Sequence, residues 1–135
     1  MTTKQYLQRV FRAKERILSN QEKILVLRDF TLKVSSHTDS VRVDGSSSCG
    51  NRAIASDRII DLEASVNRDT VLFNAVYTEI QAVIDAVQDP VCHKLLTLRY
   101  LCFRSWEEIA ERMGYSSDHV RGYLHRQALQ KVNTT

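Results

Sequence analysis

Between Ile59 and Val87 the apolar residues recur at alternating spacings of three and four. The rungs are Ile59, Leu62, Val66, Phe73, Val76, Ile80, Val83 and Val87, with Asp69 the one polar position in the series. No proline or glycine falls within residues 53–88. A repeat near 3.5 residues places every rung on one helix face and leaves that face in need of a partner helix. Residues 53–88 therefore read as a coiled-coil strand, a core or oligomer seam, with Asp69 a polar rung that fixes register.

The nearest partner is residues 3–34, which contain no glycine or proline and are rich in helix formers. Apolar residues recur there as Leu7, Val10–Phe11, Ile17–Leu18, Ile24–Leu25 and Leu32, with polar Lys14, Gln21 and Arg28 between them. The pattern predicts one long helix with a narrow, interrupted stripe. Charge favours the pairing. Residues 1–34 carry 8 Lys/Arg and 3 Asp/Glu, whereas residues 35–90 carry 4 and 9. An antiparallel helical hairpin is the result, spanning roughly 50 Å at 1.5 Å per residue. Residues 35–52, rich in serine and other small polar residues, read as its loop. Val41 and Val43 would pin a short extended piece, and Ser46–Ser48 read as solvated linker rather than a phosphate contact.

The chain has 135 residues and no apolar run approaching the ~20 residues of a membrane span. Its N-terminus lacks the apolar core of a secretory signal, so the expectation is a soluble cytoplasmic protein with no membrane partner. Cys49, Cys92 and Cys102 show no C-x-x-C spacing. They read as free structural thiols, with Cys92 and Cys102 expected in apolar surroundings. No glycine-rich phosphate loop, zinc-ligand helix or nucleophile–base constellation is present, so neither enzyme, cofactor nor metal is expected. Glu107, Glu108 and Glu111 form the solvated face of a short helix.

The expected domain boundary lies at Asp89-Pro90, a capping residue followed by proline at the first helical position. A 1–89 hairpin precedes a 90–135 domain. In the latter, Val91, Leu95, Leu98 and Leu101 repeat at helical spacing, and Phe103 and Trp106 are the expected core aromatics. Residues 106–123, WEEIAERMGYSSDHVRGY, read as helix, tight turn, helix. Ser105 and Glu108 match a capping box. Ile109 and Met113 share a face, Ala110 admits a close crossing, and Gly114 suits a left-handed helix end. Ser116 or Ser117 would cap the second helix, 117–134. Its inner face would take Val120, Tyr123 or Leu124, and Ala128. The whole chain is thus expected to be all-α, a coiled-coil hairpin followed by a three-helix helix-turn-helix domain.

Such a unit is known for placing its second helix in the DNA major groove. The outward face would then be Ser117, Asp118, Arg121, Gly122 and His125. Arg121 is the candidate for bidentate contact with guanine. Asp118 suits either the positive helix end or a cytosine amino group. Gly122 either admits the groove floor or is merely tolerated. Ser116, Arg126, Arg104 and Lys131 would serve phosphates, and His119 and His125 read as surface or phosphate-facing.

Residues 98–129, LRYLCFRSWEEIAERMGYSSDHVRGYLHRQAL, resemble region 4 of bacterial sigma factors. They are closest to the ArpU/RinA-like group of prophage-encoded regulators. The carrying residues are Leu98-Arg99-Tyr100, Ser105-Trp106-Glu107-Glu108-Ile109-Ala110, Gly114-Tyr115-Ser116, Leu124-His125-Arg126 and Ala128-Leu129. The resemblance implies promoter DNA binding and contact with RNA polymerase. No segment looks like sigma region 2, and Gly122 replaces a bulkier side chain. The expectation is an activator or accessory factor of phage genes, working in the bacterial cytoplasm. As a homodimer it would read half-sites ~34 Å apart. The competing readings are a docking module for RNA polymerase or a phage protein, and a DNA-packaging recognition subunit.

Overall fold

The computed structural model describes residues 1–37 and 45–133, with side chains at 1–33 and 53–133. Among these residues every element is helical. In chain order they are α1 (Thr3–Leu7), α2 (Arg9–His37), α3 (Gly45–Asp85), α4 (Pro90–Leu96), α5 (Trp106–Met113) and α6 (His125–Gln130). Two segments are wound more widely, with i→i+5 hydrogen bonds: Thr97–Leu101 after α4, and His119–Leu124 before α6.

The first helix is broken, where one continuous helix over 3–34 was expected. Thr2 and Gln5 form a capping box, α1 ends at Leu7, and Gln8 separates it from α2. The break lets Leu7 and Val10 both reach full burial. It also brings Tyr6 and Arg9 onto Glu79, at 2.6 and 3.1 Å. These bonds hold the Glu79 carboxyl below its ordinary pKa, and the bond to Glu79 raises that of the Tyr6 hydroxyl. The expected loop over 35–52 is shorter than its composition implied. Helix α2 continues to His37 and α3 begins at Gly45. Val41 and Val43 lie outside the described residues. Ala55, four residues before the rung Ile59, is buried.

The chain divides into two compact units: residues 1–14 with 72–135, and residues 15–71. The division differs from the expected 89/90 boundary because α2 and α3 each contribute to both units. In residues 15–71, Arg28 bonds Glu63 and the Asn20 amide donates to Asp69 at 3.3 Å. Partner numbers fall as α2 numbers rise, so the helices run antiparallel there. Asp69 is the polar rung, with its side chain only 14% exposed and Arg16 at 4.0 Å.

The other unit holds one continuous core. Leu7 and Val10 meet Ile80, Ile84 and Val87 from the end of α3 and beyond, Leu95 and Leu96 from α4, and Ile109 from α5. Asp89 caps α4, accepting from the Val91 and Cys92 amides at 2.9 and 3.2 Å. The helical stretch after α4 ends in a left-handed residue. Phe103 has φ 58° and the Arg104 amide bonds back to Leu98 O at 2.9 Å. A non-glycine residue there costs about 1–2 kcal/mol. The Phe103 ring offsets it by packing 6.5 Å from Phe73 with the Lys14 ammonium 4.2 Å above it. Cys92 is buried as expected, and burial raises its thiol pKa. Cys102, expected in an apolar setting, is exposed instead, because it follows the wide turn at the surface end of its helix.

Candidate nucleic-acid interface

Local chemistry fixes the frame of residues 105–130. Ser105 Oγ accepts from the Glu108 amide at 3.2 Å and starts α5. The reciprocal half of the expected capping box is replaced by an ion pair, with Arg104 3.4 Å from the Glu108 carboxylate. Gly114 ends α5 in the left-handed conformation at φ 77°. Ser116 caps the next helical stretch, its Oγ accepting from the His119 amide at 3.2 Å. Ile109 and Ala110 on α5 are buried, as are Val120, Leu124 and Ala128 on the final helical stretch.

Two sequence expectations on that stretch are overturned. His125, expected on the outward face, is buried, and Tyr123, offered as an inner residue, is 54% exposed. The wide winding is the cause. With the His125 amide bonded to Val120 O, each residue advances by less than the ~100° of an α-helix. Leu124 and His125 then both turn inward. His125 Nε2 lies 2.7 Å from the Tyr100 hydroxyl, and Trp106 meets the imidazole edge-on at 4.7 Å. The Arg99 guanidinium covers Trp106 at 4.3 Å. Burial, aided by the charges of Lys4 and Arg99, lowers the His125 pKa to about 4. Burial pushes Tyr100 up to about 12. The pair is a hydrogen bond between two neutral groups that locks the final stretch onto the helical stretch after α4.

The other predicted contact residues divide by what holds them. Ser116, Asp118, His119, Arg121, Gly122 and Arg126 are exposed and share the final stretch, and Ser117 is half-buried beside them. Arg121 leans on Asp118 at 3.4 Å, both well exposed. A Cβ built on Gly122 would meet nothing within 4 Å, so nothing inside the protein demands a glycine there. Arg104 and Lys131 are not brought to this face as free cations. Arg104 pairs with Glu108, and Lys131 Nζ is 2.6 Å from the Asp89 carboxylate. That bond holds Asp89 below the usual carboxylate range.

An aromatic ladder on this face escaped the sequence reading. His119 stacks on Tyr123 with centroids 5.2 Å apart, and Tyr115 packs against His119 at 5.3 Å with its ring tilted by 43°. Both tyrosines are exposed. The signal in the sequence is three rings spaced by four, but a regular helical wheel turns Tyr123 towards the core and hides it.

No family model, no curated protein and no solved structure matches this chain. Among the described residues no cluster of His, Cys, Asp and Glu has the makings of a metal site. No helix among them is long and apolar enough to cross a membrane.

Proposed function

We propose that the chain is a sequence-specific DNA-binding transcriptional regulator, an activator of phage or prophage genes in the bacterial cytoplasm. Its architecture is read as a helical hairpin followed by a three-helix helix-turn-helix domain. The second helix of that unit enters the major groove. The observation that carries the reading is the two-sidedness of this helix. Its inner residues Val120, Leu124, His125 and Ala128 are buried, while Arg121, Gly122 and Arg126 face outward. Arg121 would read a guanine edge once Asp118 yields it, and Gly122 leaves room for the groove floor. Charge agrees: residues 1–14 with 72–135 carry 11 Lys/Arg and 7 Asp/Glu, against 8 and 9 for residues 15–71.

The reading is tested by binding to random-sequence and phage promoter fragments at several salt concentrations, with Arg121→Ala alongside. Selective binding that is lost in the variant supports the regulator. Its logarithmic salt slope would reflect several phosphates. Absence of binding to any duplex sinks the reading.

One feature favours the docking alternative. Pro90, Val91, Lys94, Met113 and Tyr115 line an open groove of about 230 Å³, with Val91 40% exposed. RNA polymerase retained by a Val91→Glu variant as well as by the native chain would exclude this groove as the polymerase contact.

A further inference from the structure

Ser116, His119, Tyr123 and Arg126 are all exposed on the final stretch, where His119 stacks on Tyr123 at 5.2 Å. Their polarity is one-sided. Ser116 Oγ already accepts the His119 amide at 3.2 Å, which leaves its own proton to donate outward. Tyr123 Oη already accepts from Gln127 Nε2 at 2.8 Å, which leaves its proton in the same position. Arg126 forms no ion pair among the described residues. The His119 ring lies between Tyr115, tilted against it at 5.3 Å, and Tyr123, stacked on it at 5.2 Å. The free hydroxyl protons of Ser116 and Tyr123 and the guanidinium of Arg126 are donors suited to anionic oxygens.

We infer that this stripe is a track for one phosphate strand of duplex DNA, and that Tyr123 is a phosphate-contacting residue within it. The inference rests on the DNA-binding reading and gives the two faces of the helix separate roles. The stripe positions the duplex, and Arg121 reads it. The stacked rings hold the Tyr123 hydroxyl in place before binding, which lowers the ordering cost of the contact.

The sharpest test is Tyr123→Phe, which keeps the stacked ring and removes only the hydroxyl. The probe is a fluorescein-labelled 25-base-pair duplex of random sequence, titrated at several salt concentrations. Losing one hydrogen bond to a charged acceptor is expected to weaken binding about tenfold. The salt slope should stay unchanged, because tyrosine releases no counterion. Arg126→Ala should weaken binding and also reduce the slope by about one. Far-UV circular dichroism and Trp106 fluorescence confirm that each variant keeps its fold. Ser116→Ala is not used, since it also removes the cap. If Tyr123→Phe binds as tightly as the native chain while Arg126→Ala is weakened, the track inference fails and the DNA-binding reading stands. If the native chain binds no duplex, both fail together.

Discussion

Residues 15–71 and the remainder of the chain draw on the same two long helices, yet they bury apolar surface in different ways. Among the described residues, Ile24 and Ala55 are the buried apolar residues of the first; all others belong to residues 1–14 and 72–135. The heptad rungs on α3 face inward in both. What differs is the cover. Near Ile80 and Ile84, α4, α5 and the final helical stretch add further layers. The described residues between 15 and 71 form two helices, and Leu25, Val26, Leu32 and Ile60 remain more than half exposed. Register there is marked by polar pairs, Asn20 with Asp69 and Arg28 with Glu63. The exposed Arg28–Glu63 pair contributes only about 0–1 kcal/mol. A periodic stripe thus specifies that two helices pair, but a closed core needs a third element to cover them.

Truncation in the two units should break or confirm this contrast most directly. Leu95→Ala or Ile109→Ala, at fully buried sites, is expected to cost about 2–5 kcal/mol. Leu25→Ala, at a site 59% exposed, should cost within about 0.5 kcal/mol. Urea unfolding reads both. Trp106 is the only tryptophan and reports on the unit that contains it, while circular dichroism reports on both. A Leu25 variant as damaged as the Leu95 variant would mean that the open face of α2 is covered in solution.

Acidification should act on the covered unit. The His125 pKa falls from an ordinary 6.5 to about 4 in the folded state. The unfolded chain therefore takes up this proton first as pH falls. The stabilisation is complete above about pH 6.5 and lost as pH drops towards 4. At 1.36 kcal/mol per unit this amounts to about 3 kcal/mol. Unfolding midpoints measured by Trp106 fluorescence from about pH 7 to 4 should follow that window. Tyr100→Phe, which leaves the buried imidazole without its partner, should cost about 1–3 kcal/mol at pH 7.

The smallest expected effect is a gain. Gly122→Ala fills open space in a helix and should stabilise by about 0.5–1 kcal/mol, seen as a raised melting temperature. The same variant sharpens the functional reading. If it is more stable but binds DNA less well, the glycine serves close approach to the groove; unchanged affinity would leave it a tolerated helix residue.

Much of this protein is written locally in its sequence. Asp89 before Pro90, Ser105 before α5 and Gly114 after it set helix ends through bonds that span only a few residues. The rungs from Ile59 to Val87 set the paired face because each needs only its own helix's geometry. The exposed Arg121, Gly122 and Arg126 are legible for the same reason. Tertiary structure decided the rest. Lys131 is committed to Asp89, 42 residues away, and the helix breaks at Gln8 so that Leu7 and Val10 both reach the core. Tyr123 and His125 exchange their expected places. A helical wheel assumes a constant advance per residue, and the i→i+5 winding over His119–Leu124 departs from it. That winding goes with the burial of His125 against Tyr100 and Trp106, partners supplied by distant sequence, which no local periodicity encodes.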